Sequence, residues 1–350
     1  MNVLPENIAA DLLPWYGRHA RDLPWRRDVT PYRVWVSEIM LQQTRIEAAK
    51  GYFERFMRAL PTVRDLADAS QETVLKLWEG LGYYSRARNL HKAAKMIVER
   101  YGGALPADEK ALRSLPGIGD YTAGAVASIA FGLRAPAVDG NVLRLCARLV
   151  CCPDSVGDTK VKNRFREALR AQYPDGRCGE FTSALMELGE TVCLPGTPDC
   201  GVCPLAAVCA AEKTGHPADW PVMDEKRPRK VQQKTVFLLE HAGRVALLKR
   251  PDKGLLAGLW EFPNVEGELD EAAVLCQADA WECAPEAVEP LGRARHIFTH
   301  LEWHMVGWLV RCGAAPGRFV WTTASERADR YPVPTAFRAY KEQICKEILS

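Results

Sequence analysis

Four cysteines fall within seventeen residues, as Cys193-x6-Cys200-x2-Cys203-x5-Cys209. Thiolates this dense can converge on one metal centre, and the Pro and Gly between them permit tight looping. Zinc sites are usually built from two short C-x2–4-C pairs. Here only the middle gap is short, and iron–sulfur clusters accept four cysteines at irregular spacing. Spacing alone leaves zinc and iron–sulfur both open. A second chemistry is carried by carboxylates. Glu38 lies in Pro31-Tyr-Arg-Val-Trp-Val-Ser-Glu-Ile-Met-Leu-Gln-Gln-Thr-Arg45. On a helix opened by Pro31, its neighbours at three and four residues are Val34, Trp35, Leu41 and Gln42. An acid among apolar side chains keeps its proton to a higher pH, as a general acid requires. A solvated helix Glu is the plainer alternative. Asp139, in Ala135-Pro-Ala-Val-Asp-Gly-Asn-Val-Leu-Arg144, reads first as an N-cap. It would also complete a carboxylate pair able to stabilise a sugar cation during cleavage of an N-glycosidic bond.

A third constellation is Leu115-Pro-Gly-Ile-Gly-Asp-Tyr-Thr-Ala-Gly124. Gly117 and Gly119 permit a hairpin whose amides open a helix of small residues. That is a phosphate-binding arrangement, although a plain helix–helix turn fits the same residues.

The elements that must position these groups change character along the chain. Residues 1 to about 215 read as helical, with amphipathic stretches at Val34–Ala59, Gln71–Glu79, Ala87–Tyr101, Tyr121–Phe131 and Val161–Tyr173. Trp220–Lys234 is polar, basic and Pro-containing, as an exposed linker is. Beyond it Thr235–Glu240 and Arg244–Lys249 flank a predicted hairpin at His241–Gly243, His296–Arg311 reads as strand, and Thr335–Leu349 as helix. The chain has 350 residues and a net charge of +2. The length favours two domains, and the charge excludes a surface that binds polyanions by bulk electrostatics. No run reaches the roughly 20 apolar residues of a membrane helix, and Met1–Trp15 lacks a basic signal-peptide region. Reduced thiols and a cytoplasmic setting, at the nucleoid if the source is bacterial, are expected.

Together these residues resemble the helix-hairpin-helix DNA glycosylase superfamily and, within it, the MutY-type adenine glycosylases. Trp25-Arg26, Val34–Thr44 (VWVSEIMLQQT), Gly80–Asn89 (GLGYYSRARN), Leu115–Ala123, Val138–Val142 and the four cysteines carry the resemblance, which runs over nearly the whole chain. VSEIMLQQT and the cysteine spacing are its most specific parts. It implies a multidomain protein. An all-α helix-hairpin-helix glycosylase domain spans 1–219, with the hairpin unit at 108–131 and an iron–sulfur cluster subdomain at 193–209. A linker at 220–234 leads to an α/β Nudix-like domain at 235–350 that recognises 8-oxoguanine. Its substrate is duplex DNA containing adenine opposite 8-oxoguanine or guanine, bound by a monomer with no membrane involved.

The resemblance also implies roles. Glu38 matches the acid that protonates flipped adenine, Asp139 the carboxylate that stabilises the sugar cation, and Tyr121 and Asn141 their supports. Arg26 and Leu41 match residues around the flipped base, Gln43 and Tyr83 residues that fill the gap in the duplex, and Gly117 and Gly119 the backbone-binding hairpin. Cys193, Cys200, Cys203 and Cys209 match the ligands of a 4Fe-4S cluster that shapes a DNA-contacting loop. Phe298, Thr299 and His300 match a Phe-Ser-His loop that probes 8-oxoguanine. Ser183 departs from the Glu or Gln of relatives near the adenine pocket, and Glu187, one turn on, is the expected substitute. Gly254–Pro263 matches the Nudix-like domain, but no Arg-Glu followed by paired Glu comes after Pro263, so binding without hydrolysis is expected.

Three rival functions remain open in the sequence. An endonuclease III-like lyase needs a hairpin lysine, yet Tyr121 holds that position and no lysine lies between Lys110 and Lys160. A non-catalytic reader of DNA structure would not need the paired carboxylates. A Nudix hydrolase would need the missing acidic helix.

Overall fold

The computed structural model of the chain describes residues 4–224 and 228–347. The chain forms two compact units, Met1–Asp68 with Asn89–Glu225, and Ala69–Arg88 with Lys226–Ser350. In chain order the elements are α1 Ile8–His19, α2 Pro24–Arg27, α3 Pro31–Leu41, α4 Ile46–Ala59, α5 Val63–Asp68, α6 Gln71–Leu77, α7 Ser85–Tyr101, α8 Glu109–Arg113, α9 Asp120–Phe131, α10 Gly140–Leu149, α11 Thr159–Arg170, α12 Cys178–Thr191 and α13 Ala210–Lys213. Then follow β1 Lys230–His241, β2 Arg244–Lys249, β3 Trp260–Glu261, β4 Asn264–Glu266, α14 Glu271–Ala280, β5 Pro285–Ile297, β6 Leu301–Cys312, β7 Val320–Thr322, α15 Ala324–Asp329 and α16 Arg338–Glu347.

In the first unit every described regular element is helical. The stretch expected as one amphipathic run over Val34–Ala59 is two helices, because the backbone turns at Gln42–Arg45 with Gln43 left-handed at φ 58°. The turn leaves Gln43 exposed beyond the end of α3. Local chemistry sets the helix starts. The Thr30 hydroxyl accepts from the Arg33 amide ahead of α3, and Asp108, Asp139 and Asp158 cap α8, α10 and α11 in the same way.

Packing then builds two lobes around a cleft. Leu12 and Trp15 of α1 share a core with Val142 and Leu145 of α10, Phe165 of α11 and Phe181 and Leu188 of α12. α9 packs against both α3 and α12. Small residues let it approach closely: a Cβ on Gly124 would sit 2.4 Å from the Pro136 carbonyl oxygen, and one on Gly179 would sit 2.9 Å from Ile129 Cα. The helix α8, the turn at Gly117 (φ 78°) and α9 form the hairpin unit, with Gly119 as N-cap of α9.

The second unit is a mixed sheet in the order β3-β2-β1-β6-β5, with β4 on β1 and β7 on β2. β1 and β6 are parallel, and the other pairs are antiparallel. β1 is buried on both faces: Val236 and Leu238 join Phe337, Tyr340 and Ile344, while Phe237 and Leu239 join Val274 and Ala278. Helix α16 thus covers one face of the sheet and α14 the other. The predicted hairpin is present, with His241 opposite Arg244 and left-handed Ala242 and Gly243 at its tip. β1 begins at Lys230, inside the stretch read as linker. Ala69–Arg88 belongs to this unit, held by Lys76 donating to the Arg327 carbonyl, Lys249 pairing with Glu72, and Glu79 accepting from Lys341 and the Val333 amide. In α14 the carboxylates are Glu271 and Asp279, so the paired acids of a metal-binding Nudix helix are missing there. No helix among the described residues is long and apolar enough to cross a membrane.

Candidate active site

The cleft of the first unit is a cavity of about 950 Å³. It is lined from α2 and α3 by Arg26, Glu38 and Leu41, from the following turn by Gln43, from α9 by Gly119 and Tyr121, and from the start of α10 by Asp139 and Asn141. Residues far apart in sequence thus meet in one pocket.

Glu38 is the pocket's buried acid, with 5% of its surface exposed. The Tyr121 hydroxyl donates to its Oε2 at 2.6 Å. Burial pushes the Glu38 carboxyl up to about 7; Asp139 and Glu190 add to the rise, while the Tyr121 hydrogen bond and Arg26 oppose it. Desolvation also lifts the Tyr121 phenol well above its ordinary range, so it stays a donor. Asp139 is both cap and pocket carboxylate, so the two sequence readings coincide. Its Oδ1 accepts from the Val142 amide at 2.7 Å and its Oδ2 from Asn141 Nδ2 at 2.9 Å. Burial raises this carboxyl, and those hydrogen bonds, together with Arg144, oppose the rise. The helix N-terminus further favours its anion.

Glu187 does not substitute for Ser183. Its carboxylate turns from the cavity and is fully buried, accepting from Arg21 Nε at 2.6 Å and Arg26 Nη2 at 2.8 Å. It positions Arg26, whose other Nη donates to the Arg21 carbonyl. Two acids of this helix do line the cavity, Glu180 and Glu190, and sequence reasoning missed both. The period shared by Gly179, Ser183, Met186 and Glu190 was the available signal.

Two arginines of α10 also went unread. Arg144 donates to the carbonyls of Gly189 and Cys193 and to Asn141 Oδ1. Arg148, 2% exposed, donates to Leu194, Gly196, Pro217 and Trp220 carbonyls and to Cys193 Sγ at 3.3 Å. They bind the cysteine loop to the helix that Asp139 caps. Cys193, Cys200, Cys203 and Cys209 line one small pocket together with Arg148. Among the described residues no three His, Cys, Asp or Glu side chains are gathered as a single metal ion would need. The four thiols line one space, and a guanidinium donates to one of them. Four thiols on one pocket are a donor set that fits a thiolate-bound metal centre.

In the second unit a separate cavity of about 470 Å³ is lined by Tyr83, Phe298, Thr299 and His300. Phe298–Leu301 forms the tight turn between β5 and β6, closed by the Phe298 amide on the Leu301 carbonyl. Thr299 and His300 are exposed at its tip. Tyr83 and Thr299 share a hydroxyl hydrogen bond of 3.3 Å. Phe298 is half-buried, its ring edge-on to Trp303 at 4.9 Å. It is partly a core residue and less free to wedge than its two neighbours.

Two family models match the chain. Residues 36–171 match the model of the HhH-GPD superfamily base excision DNA repair proteins, and residues 235–343 that of the NUDIX domain. The adenine DNA glycosylase of Mus musculus is 37% identical over 352 aligned residues, covering 84% of this chain and 68% of the mouse protein. That of Buchnera aphidicola subsp. Acyrthosiphon pisum is 33% identical, covering 86% of this chain and 85% of the relative. A solved structure of a thermostable thymine-DNA glycosylase superposes with TM-score 0.52 at 28% identity, covering 59% of this chain and 94% of that one.

Glu187 provides a test of this architecture. Burial would raise its carboxyl, but the hydrogen bonds of Arg21 and Arg26 outweigh burial and lower it below the usual 4.5. A depressed carboxyl stabilises the fold above its unfolded value and loses that contribution as pH falls through the folded one. Glu187→Gln should therefore cost about 1–3 kcal/mol at neutral pH, the arginines being partly solvated. In urea denaturation the deficit against wild type should shrink as pH drops below 4.5. A deficit independent of pH would show that the ion pairs are not its source.

Proposed function

The chain belongs to the adenine DNA glycosylases, a base excision repair family of DNA N-glycosylases, and from that membership we propose that it excises adenine mispaired with 8-oxoguanine or guanine, as a monomer, with Glu38 and Asp139 as its acid and its electrostatic partner. The observation that carries this reading is a buried carboxyl bonded to a phenol and sharing a cavity of about 950 Å³ with a second carboxylate. Duplex DNA binds with its backbone on the hairpin at Gly117 and Gly119, where first-turn amides of α9 lack intrahelical acceptors. The flipped adenine enters the cavity beside Arg26 and Leu41, and Gln43 and Tyr83 fill the vacated stack.

Protonated Glu38 donates to a ring nitrogen of adenine, and the glycosidic bond breaks with its electron pair leaving on the base. The positive charge that develops on the sugar is stabilised by Asp139, which its cap hydrogen bonds hold in place. Asn141 holds Asp139, and Tyr121 holds Glu38. Glu38, now a carboxylate, accepts a proton from the water that adds to the sugar. Among the described residues no lysine lines the cavity, and the hydroxyl at the hairpin position is engaged by Glu38, which favours a glycosylase without lyase chemistry. Glu38→Gln should slow single-turnover adenine release by roughly 10²–10⁴-fold while mismatch binding persists. Because the acid acts protonated, the wild-type rate should fall as pH rises through about 7. A rate flat from pH 6 to 9 would remove Glu38 from the proton transfer.

Cys193, Cys200, Cys203 and Cys209 hold a 4Fe-4S cluster in this reading, supported by their shared pocket and by Arg148. When bound, the cluster supplies shape to the loop and no step of the base chemistry. Freshly purified protein should be brown with about four irons per chain, and Cys203→Ser should lose colour and solubility. One zinc and no iron would overturn the assignment.

The turn at Phe298–Thr299–His300 reads the opposite base, its exposed hydroxyl and imidazole meeting the altered edge of 8-oxoguanine. Thr299→Ala with His300→Ala should cut the preference for 8-oxoguanine over guanine by roughly 5- to 30-fold in single-turnover rates while sparing adenine chemistry. An unchanged ratio would place lesion reading in the helical unit.

A further inference from the structure

The pocket face of α12 carries a carboxylate that this mechanism does not use. Gly179, Ser183, Met186 and Glu190 recur at helical spacing along the cavity wall. Met186 lies against the Tyr121 hydroxyl at 3.8 Å, so Glu190, one turn further, sits at the reacting end of the pocket. Its neighbour Gly189 packs so closely on Asn141 that a Cβ there would lie 2.7 Å from the Asn141 Cβ.

The other carboxylates of the wall are accounted for. Glu38 must carry a proton to act. Asp139 spends both oxygens on Val142 and Asn141. Asp120 is paired with Arg113 and Arg166, and Glu180 is an exposed residue paired with Arg177. Ser183 has a hydroxyl close to its own backbone and short of the cavity's centre. Glu190 gives Oε2 to Arg21, while Oε1 accepts no hydrogen bond from the described residues. Arg21 is itself clamped by Glu187.

We propose that Glu190 is a specificity-determining residue whose free Oε1 accepts a hydrogen bond from the exocyclic amine of the flipped adenine; this rests on the adenine glycosylase reading above. A 6-aminopurine presents a donor to that oxygen, whereas a 6-oxopurine presents an acceptor, which a carboxylate repels. Burial raises the Glu190 carboxyl, Asp139 and Glu187 add to the rise, and Arg21 opposes it. A site that hydrogen-bonds a substrate amine discriminates strongly, because a substrate without it leaves a desolvated acceptor unpaired.

The test uses the full-length protein and duplexes carrying adenine, purine (the same ring without the amine) or hypoxanthine opposite guanine, scored by single-turnover base release. Glu190→Ala should lose about 10- to 100-fold on adenine and under about threefold on purine. Glu190→Gln keeps an acceptor and the shape of the side chain, so it should retain most adenine release. Its amide also donates, so discrimination against hypoxanthine should fall, and this readout stands if the alanine variant does not fold. Equal losses on adenine and purine, with no change in hypoxanthine discrimination in Glu190→Gln, would overturn the assignment and leave Glu190 as a charge acting on Glu38. Failure of the wild type to release adenine would overturn the glycosylase reading itself, and the assignment with it.

Discussion

The structure of the helical unit turns on keeping water away from one carboxyl group. Burying an ionised carboxylate without a partner is expensive enough that the group holds its proton instead. Glu38 meets that condition because α3 packs against α9 and its flanking residues Trp35, Val36, Ile39 and Met40 are all buried. On its other side α9 packs tightly on the segment leading to α10, Gly124 lying almost in contact with the Pro136 carbonyl. The packing of α3 on α9 delivers Tyr121 to Glu38. The acid's proton affinity is therefore a property of helix packing, and the pocket carboxylates fine-tune it.

A second dependence runs through α10. Its N-terminus holds Asp139 as a cap, which fixes one carboxylate by local hydrogen bonds. Its body carries Arg144 and Arg148, whose guanidinium groups satisfy carbonyls across the cysteine loop. One helix thus fixes a pocket carboxylate at one end and anchors the loop that carries the four thiols along its side.

In the second unit, a sheet buried on both faces supplies a rigid platform for a single exposed turn. Trp303 is central: Phe298 packs edge-on against it, and Lys234 lies over its ring. The tip residues Thr299 and His300 then project from a fixed base, and Tyr83, from the Ala69–Arg88 segment of the same unit, meets Thr299. Recognition by hydrogen bonding needs such preorganisation, since an adaptable loop would lose the ordering entropy on each encounter.

Much of this was legible in the residues. Asp139 before an apolar-periodic run is a cap by local chemistry, and Gly117 and Gly119 mark a turn because few other residues accept its backbone. Glu38, with Val34, Trp35 and Leu41 at three and four residues, offered a buried acid beside a solvated one, and the structure buries it. The four closely spaced cysteines do line one pocket. Tertiary structure decided the rest. Periodicity places Glu187 and Glu190 within one turn of each other and cannot say which meets the cavity; the packing of α12 between α1, α9 and α10 turned Glu187 onto two arginines and left Glu190 on the wall. The bond between Tyr121 and Glu38 spans 83 positions, the break at Gln43 interrupts an unbroken amphipathic pattern, and Ala69–Arg88 groups with a sheet that begins more than a hundred residues later. Local patterns fix caps, turns and faces because those energies are settled within a few residues. Which faces meet is settled only when distant surfaces compete for burial.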